Sequence, residues 1–204
     1  RGPSSRHFGA IELISSQLTD PYGYNSLGFS FGGPILKKRD TTRRIVLGYV
    51  ISGQGNYIKE PNPSFVPIYV VNDDKMAELR ETPLLPSPSG QGYVRAAEYV
   101  TKDDMYTQRF RPNAQLRQLS LTGKIDWQPT PNTNISFGNT FEYSDQMVAG
   151  IGNQLFNSHN NQIATNRVLR HWISFNQKIG NTTTSKEKTQ SLVSNAYFKF
   201  LISY

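Results

Sequence analysis

Cysteine is absent from the 204 residues, which excludes disulfides, thiolate catalysis and cysteine-held zinc within this chain and leaves the redox compartment open. Long hydrophobic runs are absent too. No window approaches the roughly 18 consecutive apolar residues that a membrane-spanning helix requires. Charge is sparse at 18%, and the net charge of +7 comes from cations spread over turns, loops and one strand face. A nucleic-acid partner would call for clustering on one helix or ribbon, so none is expected. Histidine occurs three times, as His7, His159 and His171, with no metal-ligand spacing between them. Asp73-Asp74 and Asp103-Asp104 lack the loop that would make either a calcium site, and read as helix N-terminal acids. Ser87 to Gly92 is interrupted by proline and does not stand between a strand and a helix, so it is not a phosphate loop. No acid, base and nucleophile come together. The chain reads as a non-enzyme that uses no cofactor, no metal and no catalytic residue.

What the chain does have is alternation. Leu119, Leu121, Gly123, Ile125 and Trp127, then Ile135, Phe137, Phe141 and Tyr143, fall on one face when read at period two. Ser120, Thr122, Lys124 and Asp126, then Ser136, Gly138, Thr140 and Glu142, fall on the other. Successive strand side chains point to opposite faces, so one face is apolar and the other polar. The apolar stripe ends in an aromatic beside the turn Gln128 to Thr133. That ordering is the one a barrel in a bilayer adopts, with apolar side chains outward, polar ones inward and aromatics at the interfaces. A mean hydropathy of −0.53 is compatible with it, because lumen, loops and turns are polar.

The same reading places strands at about Phe8–Leu18, Tyr24–Ile35, Arg44–Gln54, Gln115–Trp127, Asn134–Met147, Arg167–Ile179 and Leu192–Tyr204. The fold class expected is all-β: an antiparallel up-and-down meander of about seven strands, part of a transmembrane β-barrel. Connections alternate between short (37–43, 128–133, 180–190) and long (about 55–114 and 148–165), matching the short periplasmic turns and long extracellular loops of outer-membrane barrels. The turn at 20–23 falls on the long-loop side. A short helix is expected from Asn72 to Arg80, with acids in its first turn, and another is expected to open at Thr101. The chain starts at Arg1-Gly2-Pro3 without a methionine and stops at Tyr204 inside an alternating run, so it reads as a segment of a longer protein.

Three groups of residues follow from this pattern. Leu121, Ile125, Phe137, Phe141, Phe198 and Phe200 are expected to face lipid, with Trp127, Tyr143 and Tyr204 as interface anchors. Glu12, Lys124, Asp126, Glu142 and Lys199 are expected to face the lumen, mostly paired across strands. Trp172 falls on the polar face, against the pattern. Tyr57, Phe65, Tyr69, Tyr93 and Tyr99 are candidate substrate contacts in the long loop, since an aromatic body with a polar tip suits sugar or peptide. Packing inside the loop is the commoner use of such rings. Recognition is expected to concentrate in 55–114, with a lesser share in 148–165, because loops on a rigid scaffold carry it.

Gly32-Gly33-Pro34-Ile35, following Leu27-Gly28-Phe29-Ser30-Phe31, resembles the end of an early barrel strand in TonB-dependent outer-membrane receptors. Arg1-Gly2-Pro3 with Phe8-Gly9-Ala10-Ile11-Glu12 resembles the passage from plug to first barrel strand, which makes 1–6 the junction and 7–204 barrel. Gly123 to Thr130 with Asn134 to Gly138, and Ser194 to Phe198, resemble hairpins of the SusC-like branch. Each motif is short and permissive, although together they span nearly the whole chain. The resemblance implies a plugged barrel of about 22 strands in the bacterial outer membrane, importing a bulky nutrient such as a glycan, peptide or metal chelate. It implies as partners outer-membrane lipid, the plug of the same parent chain, the TonB complex and a SusD-like lipoprotein. Neither plug nor TonB box is among these residues. A passive porin or surface adhesin is the alternative function, and a soluble β-sandwich binding domain the second alternative.

Overall fold

In a computed structural model, which describes residues 4–38, 44–179 and 196–204, the chain is mostly β, and one large sheet dominates it. Its strands are β1 (Phe8–Ser15), β2 (Tyr24–Lys37), β3 (Ile45–Ile58), β8 (Leu116–Thr130), β9 (Thr133–Val148), β10 (Gln162–Ile179) and β11 (Ala196–Ser203). All neighbours pair antiparallel in the order β1-β2-β3-β8-β9-β10-β11, a seven-stranded meander. The sheet is open, with β1 and β11 at its edges. Between β3 and β8 the chain forms β4 (Ile68–Val71), α1 (Asp73–Glu81), β5 (Leu84–Pro86), β6 (Tyr93–Arg95) and β7 (Met105–Gln108). There β4 pairs with β7, and β5 with β6, as two small ribbons.

Several boundaries differ from the sequence reading, for identifiable reasons. β1 stops at Ser15 because Ser16 turns the chain, its hydroxyl accepting the Tyr24 N–H at 2.8 Å. Leu18, expected in the strand, is fully exposed in that turn. β3 continues to Ile58 because Tyr24 of β2 pairs with it there. β10 begins at Gln162, inside the expected loop, because it pairs with Val148 at the end of β9. Pairing thus carries polar residues beyond the apolar stripe into the sheet. The helix at 72–80 is present as α1, with Asp73 and Asp74 in its first turn and Arg80 in its last. The one expected at Thr101 is a single 3₁₀ turn, Lys102–Asp104, closed by a reciprocal Thr101/Asp104 capping box. Arg1–Pro3, most of the turn 37–43, the turn 180–190 and the first residues of the last expected strand lie outside the described residues.

The register sorts the sheet into two faces, because cross-strand partners share a face. Five rows carry the apolar stripe. Leu47, Trp127, Ile135, Phe175 and Phe200 form the row nearest the short turns. Tyr49, Ile125, Phe137, Ile173 and Ile202 follow, then Ile51, Gly123, Asn139 and His171. Gly53, Leu121, Phe141 and Leu169 come next, and Gly55, Leu119, Tyr143 and Arg167 stand nearest the long loops. In β8 the stripe therefore runs from Leu119 to Trp127.

Burial is inverted relative to a protein with a core in water. Ile125, Phe137, Phe198 and Phe200 are 45%, 46%, 61% and 60% exposed. On the opposite face Ser26, Asp126, Ser136 and Ser174 are buried. Among the described residues the buried hydrophobic side chains are Ile68, Val71, Ala96 and Ala114, all in the excursion between β3 and β8. The sheet contributes none of them. Among the described residues nothing packs a hydrophobic core against the apolar face of this sheet.

One aromatic breaks the alternation, and the register explains it. Trp172 pairs with Gly138 on the polar face, and its ring lies over the glycine where a Cβ would collide with it. In the same row Phe8 covers Gly32 in the same manner. Glycine here provides the room for an aromatic from the next strand. Gly138→Val is expected to unseat Trp172 and cost about 1–3 kcal/mol, the usual range for overpacking. A red-shifted difference in fluorescence between variant and wild type, together with the unfolding midpoint, measures it.

Candidate functional site

Two regions present side chains in arrangements suited to binding: the polar face of the sheet and the pair of long loops at one of its ends. On the polar face, Lys124 Nζ lies 2.9 Å from Asp126 Oδ2, two residues along the same strand. Asp126 Oδ1 accepts the Ser136 hydroxyl from β9 at 2.5 Å. Both partners stand beside an open groove of about 820 Å³ floored by Trp172, Ser174 and Asn176 of β10 and bordered by Lys199 of β11. Asn134, which also lines it, has a buried Oδ1 that accepts no hydrogen bond from the described residues. Glu12 and Glu142 share a higher row with Gln54 and Ser120. Glu142 approaches Arg170 at 3.9 Å, with both side chains largely exposed. The five polar-face charges therefore fall in four rows, Glu12 and Glu142 in one and Lys124, Asp126 and Lys199 in three successive rows at the groove or its immediate border.

Trp127 and Tyr143 end the apolar stripe at opposite heights, Trp127 beside Ile135 near the short turn and Tyr143 beside Leu119 and Arg167 near the long loops. The guanidinium of Arg167 lies 5.6 Å from the centre of the Tyr143 ring. Tyr204 stands elsewhere. It exchanges both backbone hydrogen bonds with His171, in the middle row. Leu121 and Phe141 share one row, Ile125 and Phe137 another, and Phe200 lies in the row of Trp127. Phe198 is one row beyond, level with Gln177 and Thr133. The middle of the stripe holds one polar pair, Asn139 Nδ2 and His171 Nδ1, hydrogen-bonded to each other at 2.9 Å. The His171 ring also stacks on Phe137, with centroids 6.3 Å apart.

The first long loop is closed at its base by a clasp. Arg111 donates from Nε (3.0 Å) and Nη2 (2.6 Å) to the two carboxylate oxygens of Glu60, and the Arg111 backbone N–H adds a third bond at 2.9 Å. Glu60 is 2% exposed. Burial pushes its carboxyl up, but the Arg111 side chain, the Arg111 and Asn62 N–H groups and the guanidinium charge together hold it below its ordinary value. Beside them Lys59 Nζ sits 3.3 Å above the centre of the Phe110 ring. The second loop is tied to the first where the chain enters β8. Asn113, in the left-handed region at φ 51°, accepts from Asn161 Nδ2 through its carbonyl at 2.9 Å and donates to Ser158 Oγ at 3.1 Å. Asparagine is the side chain that tolerates this conformation outside glycine.

The loop aromatics singled out by the sequence do not converge. Tyr57 belongs to the end of β3, level with Asn25 and Arg117. Phe65 projects fully into solvent, Tyr93 is exposed on β6, and Tyr99 ends a 3₁₀ turn. Tyr69 reaches a cleft of about 380 Å³, which it lines with Lys102 and Met105 of the first loop and Ile151, Gln154 and Leu155 of the second. Sequence reasoning missed this cleft, the clasp and the Asn113–Asn161 tie, since their members lie far apart along the chain and carry no local motif. Among the described residues no group of three or more histidine, aspartate or glutamate side chains is placed to hold a metal. No family model, no curated protein and no solved structure matches the chain.

Proposed function

We propose that this chain is part of the wall of a bacterial outer-membrane barrel, belonging to a TonB-dependent, SusC-like transporter that imports a bulky nutrient. The observation that carries the reading is the inverted burial: the sheet exposes many of its phenylalanines, leucines and isoleucines, leaves others such as Leu121 and Phe141 half-buried, and buries serines and an aspartate. Water would disfavour such a surface by about 25 cal/mol for each Å² of apolar area, whereas lipid accepts it. The alternation of short and long connections supports the same orientation, with the excursion 59–115 and the loop 149–161 at one end. The open edges β1 and β11 call for further strands, since an unpaired edge has no hydrogen-bond partner inside a bilayer. In this reading the polar groove faces a plug and the two loops face the outside.

Retention of the full-length protein on the immobilised periplasmic domain of TonB tests the transporter assignment without knowledge of the substrate. Specific, saturable retention is expected. A full-length barrel that is never retained would instead be a porin or adhesin. A folded, monodisperse protein in water without detergent would be the soluble β-sandwich, with the apolar stripe covered by a second sheet.

A further inference from the structure

We propose that the cleft between the two long loops binds an apolar or aromatic group bearing an anionic end. The proposal rests on the transporter reading for its meaning, as the class of ligand first captured at the loop surface, but its geometry stands on the loops themselves. Four apolar side chains, Tyr69, Met105, Ile151 and Leu155, wall about 380 Å³, a volume within the range of small-molecule sites. The walls come from two separate segments held in place at their bases, by Glu60–Arg111 for the first loop and Asn113–Asn161 between the two. Such a cleft is largely preformed, so a ligand spends little of its interaction on ordering it. Met105 adds a side chain that adapts to irregular shapes.

The polar members of the wall decide the charge of the guest. Among the described residues Lys102 forms no ion pair and Gln154 no side-chain hydrogen bond. An ammonium and an amide next to an apolar wall complement a carboxylate or similar anion attached to an apolar body. A sugar fits poorly, because a hydroxyl on nearly every carbon would be left unpaired against Met105 and Leu155. Ile151, 92% exposed beside the cleft, would be covered when the site is occupied.

Calorimetric titration of the full-length protein in lipid nanodiscs with indole-3-acetate, its neutral amide and methyl glucoside tests this. Indole-3-acetate is expected to bind saturably and methyl glucoside not at all. Ile151→Asp, at an exposed position that leaves the fold intact, is expected to weaken both indoles at least tenfold. Lys102→Glu is expected to weaken the acetate at least tenfold and the amide less than twofold. Binding of indole-3-acetate unaffected by Ile151→Asp, equal loss of acetate and amide in Lys102→Glu, stronger binding of the glucoside, or no indole binding would each overturn the proposal. The readout is independent of TonB, so a failed cleft leaves the transporter assignment standing, and a failed TonB interaction leaves the cleft measurable.

Discussion

Phe137→Arg is expected, if the apolar stripe faces lipid as proposed, to destabilise the full-length protein by roughly 2–4 kcal/mol, the cost of a cation facing lipid near a bilayer midplane. Phe137 lies in the second row of the apolar stripe, flanked by Ile125 and Ile173, with no polar row between it and the centre except the Asn139–His171 pair. Phe198→Arg, by contrast, is expected to cost only about 0–1 kcal/mol. Phe198 is level with Gln177 and Thr133, one row outside Trp127, where in the proposed orientation a guanidinium would reach headgroups and water. Reversible denaturant unfolding in phospholipid vesicles measures both. Equal costs at the two positions would defeat the depth assignment, and with it the membrane reading of the stripe. The contrast is sharper than either value, since the two residues are the same type and both are largely exposed in the sheet.

Arg111→Ala is expected to open the base of the first loop. Removing one partner of a buried ion pair costs about 3–5 kcal/mol when both are fully desolvated. Arg111 is 23% exposed at its side chain, so solvent screens part of this and about 2–3 kcal/mol is expected. Amide exchange across 59–62 and 110–113 in the full-length protein reads it, with the strands unchanged. The pH dependence has a definite sign. The folded Glu60 carboxyl is held below its ordinary value of 4.5, so the clasp contributes its full stability above that pH. The contribution is lost as pH falls through the lower folded value. Protection factors at the loop base, taken relative to the intrinsic exchange rate at each pH, should therefore fall in acid in the wild type and show a flatter acid response in Arg111→Ala. An unchanged exchange rate in the variant would mean that the loop is held by other contacts.

The strands were legible where alternation was strict. β8 and β9 follow from Leu119 to Trp127 and Ile135 to Tyr143, because a two-residue period allows only one apolar face and the prolines of Gln128 to Thr133 mark the turn. Legibility failed where pairing, not side-chain pattern, set the extent. Asn56, Tyr57 and Ile58 read as loop yet belong to β3, since β2 lies alongside and offers its backbone hydrogen bonds. The excursion was recognised as structured from its aromatics and its capped helix, but its two ribbons are too short for a period to show. Trp172 looked like a register fault until the neighbouring strand placed Gly138 beneath it.

By itself the sequence determined the class of the sheet, the identity of its two faces and the alternation of short and long connections. These depend on neighbours two residues apart or on local turn chemistry. Only the tertiary structure decided which rows end the apolar stripe, which places Phe198 and Tyr204 at different heights from those their aromaticity suggests. It also decided that Glu60 meets Arg111, that Asn161 meets Asn113, and that Tyr69 faces Ile151 and Leu155 while the other loop aromatics do not. Those meetings join residues on different loops, and their geometry follows from where the sheet register delivers each loop end. A period within one strand carries no record of that.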